Sequence, residues 1–158
     1  MLLWFAALSC AGVLLVFGDP SIDFRMVALG SLVPDLVDGA LLQGAGPAHS
    51  LLSAVSLLTV SMLATIGRRV WRKRLLMVSI GVFAHLVLDG VWSNPSMFWW
   101  PLAAGGLDDR LPVLDRGPAV VIVQEVIGVA VAVWFVRRAR LDNAERRRSF
   151  LRTGSVAT

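Results

Sequence analysis

GVFAHLVLDGVWSNPSMFWWP, Gly81 to Pro101, begins as a membrane-spanning helix and ends in a turn with aromatic residues behind it. His85 and Asp89 interrupt its apolar part four residues apart, which puts both side chains on one helix face. Ionisable groups at such depth are expensive and normally face a bundle interior or a wet cavity. An imidazole and a carboxylate on one stripe are ligands for a divalent metal, or a hydrogen-bonded pair that fixes helix packing. This helix alone leaves both readings open.

The chain has 158 residues, of which 56% are hydrophobic, and a mean hydropathy of +0.72, which places it among integral membrane proteins. The expected fold is all-α: an integral membrane helical bundle of about five transmembrane or re-entrant helices. Charge is sparse within the apolar runs and clustered between them. The net charge of +4 therefore speaks for cytoplasmic loops lying on anionic lipid headgroups, and makes no case for nucleic acid. Cys10 is the single cysteine, so no disulfide forms within the chain.

Met1 to Phe17 is a continuous apolar run without the basic start of a cleaved signal peptide, and Gly18 to Ser21 is a turn. Phe24 to Leu42 is the second candidate span. It carries Asp35 and Asp38 three residues apart, on one face, and Pro34 either starts or kinks a helix there. Two carboxylates in an apolar setting repel each other unless a cation is present, so a bound cation is the economical explanation. Solvated residues of a re-entrant segment are the plainer one. Pro47 opens the third span, to about Ile66, with His49 at its mouth. Arg68, Arg69, Arg72, Lys73 and Arg74 read as a short basic cytoplasmic loop. Leu75 to about Trp92 is the fourth span, and Met97 to Leu102 is interfacial. A polar loop from Gly105 to Gly117 leads to the fifth span, Pro118 to Val136, which contains Glu125. Residues 1–136 thus form the membrane domain, and 137–158 a basic cytoplasmic tail with a short amphipathic helix.

Topology gathers the ionisable residues. With the basic loop and the tail cytoplasmic, Arg69 and Thr158 lie inside, and Gly46 and Asp109 outside. Span four then runs outward and span five returns. Asp35, Asp38, His49, His85, Asp89 and Glu125 all fall in the outer half of the membrane, whichever way residues 24–42 are threaded. A scatter of unrelated polar residues is not expected to converge in this way.

The motifs GSLVPDLVDG, PAHSLL and AHLVLDGVWSNPSMFWWPL resemble those of the small prokaryotic membrane proteins grouped as membrane-bound metal-dependent hydrolases. The resemblance covers most of Gly30 to Leu102, in order and spacing. It implies Asp35, Asp38, His49, His85 and Asp89 as metal ligands. It also implies an all-helical bundle in the prokaryotic cytoplasmic (inner) membrane, with a motif-level similarity to zinc-dependent phospholipase C, and hence zinc as the divalent ion. Many members carry a further His five residues before the His-Ser; here that position is Gly44.

The function expected from these features is metal-dependent hydrolysis of an ester or phosphoester at the extracytoplasmic face. Membrane depth favours a lipid or lipid-like substrate. Asp38 or Glu125 is the spare carboxylate that takes the proton. The alternative is a non-enzymatic membrane protein whose metal site is structural and fully ligated. An ion pathway ranks last, since the inner halves of spans three to five offer only Ser and Thr.

Overall fold

The computed structural model describes residues 1–41, 46–103 and 116–156; Gly44, Asp109 and Thr158 lie outside them. Among the described residues the chain is all-helical, with no strand. The helices are α1 (Leu2–Phe17), α2 (Phe24–Gly30), α3 (Val33–Asp35), α4 (Leu51–Ala64), α5 (Arg69–Asp89), α6 (Pro95–Phe98), α7 (Pro118–Arg138) and α8 (Ala144–Thr153). A π-helical stretch, Leu36–Leu41, continues α3, and 3-10 turns precede α4 (Pro47–His49) and follow α5 (Val91–Ser93).

α5 is the axis of the bundle, with α1, α2 and α4 packed on it and α7 against α1. Glycines set the closest crossing. A methyl group on Gly30 would run into the Val78 carbonyl, and one on Gly81 into the Val27 carbonyl, so α2 and α5 touch backbone to backbone. Small residues permit this approach, and it is a common way to pack helices where hydrocarbon rather than water surrounds them. α1 and α7 meet similarly, at Gly128 against Trp4.

One expectation changes. The basic run is not a loop: Arg69 to Arg74 form the first turns of α5, and the connection from α4 is Thr65 to Arg68. Arg, Lys and Leu are good helix formers, and no Gly or Pro interrupts the run, so local propensity carries the helix through the charges. Residues 24–41 follow the expectation that Pro34 starts or kinks a helix. The helix breaks at Ser31 and Leu32, just before Pro34, which has no N–H to continue the ladder.

The molecule has two poles. At one, Lys73 Nζ donates to the Ser21 carbonyl (2.9 Å), and Asp23 pairs with Arg25 (3.1 Å). Ser21 also donates to Asp19, holding that carboxyl below the usual carboxylate range. The chain's last stretch docks here, with Phe24 N–H on the Gly154 carbonyl and Val156 N–H on the Pro20 carbonyl, both 2.9 Å. Its Phe150 and Val156 pack against a core of Cys10, Val13, Phe24 and Phe135. A second core of Ala54, Val82, Leu86, Val91 and Met97 lies toward the other pole.

The distribution of polarity is inverted. Val123, Val126, Ile122, Leu63, Val87 and Trp92 are exposed, while Asp38, His49, His85 and Asp89 are buried. Buried charge and a wide apolar exterior are the informative exceptions to the soluble pattern. α7 is long and apolar enough to cross a membrane, and only 11% of its most apolar window is buried, unlike the core helix of a soluble protein.

Candidate metal centre

Three side chains converge at the second pole. Asp35 Oδ1 lies 3.5 Å from His49 Nε2 and 3.6 Å from His85 Nε2, and the two imidazole nitrogens are 3.3 Å apart. The edge of a tetrahedron with metal–nitrogen bonds of about 2.0–2.1 Å is about 3.3–3.4 Å. The three atoms therefore already stand close to the spacing of three corners around one ion.

Each imidazole is turned by a partner on its other nitrogen. His49 Nδ1 lies 2.7 Å from Asp38 Oδ2, and His85 Nδ1 lies 2.7 Å from the Ser31 carbonyl. A carbonyl only accepts, so His85 carries its proton on Nδ1 and leaves the Nε2 lone pair facing the cluster. Asp38 does the same for His49. This is the support that metal-bound imidazoles ordinarily have. Asp38 is itself fixed by the backbone N–H groups of Ala48 and His49, each 3.2 Å away. His49 is thus held between two carboxylates, Asp38 on one ring nitrogen and Asp35 on the other.

Local structure explains these positions. The break after α2 frees the Ser31 carbonyl from the helical ladder, and α5 presents His85 to it. A backbone carbonyl released from the ladder and buried needs a donor, and His85 supplies it. The π-helical stretch after α3 carries Asp38, and such stretches are frequent at functional sites. The 3-10 turn at Pro47 delivers His49, and Ser50 then caps α4 through the Ser53 N–H. Phe5 of α1 stacks on His85 with ring centroids 4.0 Å apart and closes that side. Both imidazoles are fully buried, while the Asp35 side chain is 22% exposed, so the cluster opens past Asp35.

The donor set fits a divalent ion. Asp35 Oδ1 is buried and has no hydrogen-bond partner among the described residues, an orphaned acceptor in contact range of two lone-pair nitrogens. Two imidazoles and one carboxylate match three-ligand sites that keep a further position open.

Of the other residues singled out by sequence, Asp89 sits one turn beyond His85, outside this group of three. Arg116 Nη2 donates to the Asp89 carbonyl and lies 3.0 Å from its Oδ1, close enough for an ion pair but off the line of a hydrogen bond. Neither Asp89 carboxylate oxygen has a hydrogen-bond donor among the described residues. Glu125 lies on α7, its Oε1 3.5 Å from the Met1 amino nitrogen. Ser31, Phe5 and Arg116 have no motif of their own. The break that frees Ser31 is signalled in sequence by Pro34, which starts or kinks a helix there.

No protein-family model, curated protein or solved structure matches this chain.

Proposed function

We propose that the chain is an integral membrane protein of the prokaryotic cytoplasmic membrane, a metal-dependent hydrolase of an ester or phosphoester. The observation that carries this reading is the trio of Asp35 Oδ1, His49 Nε2 and His85 Nε2, mutually 3.3–3.6 Å apart, with both Nδ1 atoms committed elsewhere. Zinc is the ion we favour, since two imidazoles and a carboxylate suit it. When bound, such an ion supplies Lewis acidity and acidifies water at neutral pH.

The chain's own residues do the rest. Asp35, His49 and His85 hold the ion. Asp38 and the Ser31 carbonyl fix the tautomers. Phe5 shields His85, and the approach past Asp35 admits a substrate. Asp38 is occupied by His49 and two backbone N–H groups. Among the described residues, Glu125 and Asp89 are the carboxylates of this pole outside the ligands and their supports, and a proton acceptor would come from this pair. Three protein ligands with an accessible flank favour an open site over a closed structural one.

Membrane placement is supported by the inverted polarity and by α7. Every described basic residue except Arg116 lies at or near the pole of Lys73 and Arg25, which we place in the cytoplasm, with the metal centre outside. A lipid or lipid-linked substrate fits that location.

The test is metal analysis of detergent-purified protein beside the Asp35→Ala/His85→Ala double variant, with hydrolysis of lipid ester and phosphoester substrates in both. Metal in the wild type alone, with activity that follows it, supports the reading. A wild type without metal after reconstitution with zinc defeats it. Metal without hydrolysis would leave the structural alternative. For topology, a cysteine at position 69 stays unlabelled by an impermeant reagent in intact cells and one at position 46 is labelled; the reverse overturns the orientation.

A further inference from the structure

We infer that the basic pole holds a seat for the headgroup of an anionic phospholipid, formed by Arg138, Arg140 and Arg146. The inference rests on the membrane placement proposed above and not on the metal centre. A cavity of about 500 Å³ opens where the end of α7 meets the end of α1 and the start of α8. Arg138, Arg140 and Arg146 line its polar side, and Leu14, Leu15 and Trp134 its apolar side. No Asp or Glu lines it, and none of the three guanidinium groups has an ion pair or hydrogen bond among the described residues. Three unpaired cations in one concave wall repel one another, and an anion relieves that repulsion. The apolar wall continues onto α1 and α7, whose Leu15 and Trp134 side chains are exposed, so the same ligand offers hydrocarbon next to its charge. A phosphodiester headgroup with acyl chains meets both requirements; inorganic phosphate meets one. Guanidinium forks suit phosphate oxygens, and basic pockets between membrane helices on the cytoplasmic side are known seats for such lipids.

The backbone gives an independent reason. α7 ends with Leu141 N–H on the Val136 carbonyl (2.9 Å) and Arg140 N–H on the Arg137 carbonyl (3.1 Å). That pairing is the helix ending whose turning residue is usually glycine, because it adopts positive φ. Here the residue is Arg140, with φ 51°. A side chain at a glycine position is a local strain, and what it contributes is a third guanidinium on the cavity wall.

The position also supplies the test. Arg140→Gly removes the guanidinium while suiting the turn better. Wild type in neutral detergent should gain about 3–6 °C in melting temperature when dioleoylphosphatidylglycerol is in about tenfold excess over its dissociation constant. Phosphatidylcholine, or inorganic phosphate at the same concentration, should give no such gain. Arg140→Gly should melt no lower than wild type without lipid and lose most of the gain. Arg138→Gln/Arg146→Gln, which leaves the turn untouched, should lose it too. An equal gain from phosphatidylcholine, a full gain from phosphate alone, or full retention in both variants overturns the inference. Metal content measured on the same samples separates the two proposals. Full metal with no lipid discrimination sinks only the lipid seat, and lipid discrimination without metal sinks only the metal centre.

Discussion

α5 and α7 are each 21 residues long, and they divide the work of the molecule between them. α7 is the one described helix whose length and composition suit a membrane span, and it is mostly exposed. α5 misses that standard, because its first turns are basic and its last carries Asp89, yet it is the axis on which α1, α2 and α4 pack. Its buried positions include Ser79, His85 and Asp89, whereas those of α7 are Gly128 and Phe135. Hydropathy thus finds the helix that faces the surroundings. The helix that carries the candidate ligand His85 keeps that residue and Asp89 out of contact with the surroundings because its neighbours cover them.

The largest predicted effect removes what distinguishes α5. Asp35→Ala/His85→Ala should lower bound metal from about one ion per chain to background, read by elemental analysis after dialysis. In wild type, chelator should reproduce the loss and depress the melting temperature, because an ion held only by the folded chain stabilises it by about 2.7 kcal/mol at a hundredfold excess over its dissociation constant. Melting curves that ignore chelator would return His85 and Asp89 to a packing role.

The next prediction attacks α7. Val126 is exposed near its middle. Val126→Arg should cost about 2.5–3.5 kcal/mol of insertion free energy if that face meets hydrocarbon. The readout is the membrane-integrated fraction after carbonate extraction. If integration is unchanged, α7 is not facing lipid and its contrast with α5 collapses.

How much of this was legible in sequence differs between the two helices. α7 was readable from its composition, apart from two terminal residues. For α5, the His-x-x-x-Asp spacing identified the site helix, and topology put Asp35, Asp38 and His49 beside it. The division of labour among them was not legible. Asp35 and Asp38 share a face at helical spacing, but one reaches the cluster at Nε2 of His49 and the other supports Nδ1. That distinction depends on the break before Pro34, which the sequence announces, and on a π-helical stretch at Asp38, which it does not. The basic run also misleads: clustered charge reads as a loop, although Arg, Lys and Leu favour helix. The docking of residues 154–156 adds backbone hydrogen bonds, which leave no residue signature, to the packing of Phe150 and Val156.

A smaller effect sharpens the site on α5. Asp38→Ala removes the acceptor behind His49 without touching the three cluster atoms. Loss of such a support typically weakens metal affinity by about 10–100-fold. Titration with a competing zinc chelator measures it. Full loss of metal, equal to Asp35→Ala, would instead make Asp38 a direct ligand.

The smallest effect concerns what α5 and α7 share, a glycine where another helix crosses. A Cβ on Gly81 would collide with the Val27 carbonyl, and one on Gly128 with the backbone of Trp4. Backbone atoms in a packed crossing cannot swing aside as a side chain tip does, so the helices must separate. Overpacking of this kind costs about 1–3 kcal/mol. Gly12 on α1 is the internal control, since nothing lies within 4 Å of its would-be Cβ. There the helix preference for alanine should act alone and stabilise by about 0.5–1 kcal/mol. Thermal melts of the three Gly→Ala variants in one detergent decide the matter. Gly81→Ala should fall below wild type and Gly12→Ala should rise above it. Because α2 and α5 also position Ser31 and His85, Gly81→Ala should weaken metal retention as well, whereas Gly128→Ala should lower stability with a smaller effect on the metal. Equal metal loss in both variants would mean that the α1–α7 pair, through Phe5 on His85, supports the centre as much as the α2–α5 crossing does.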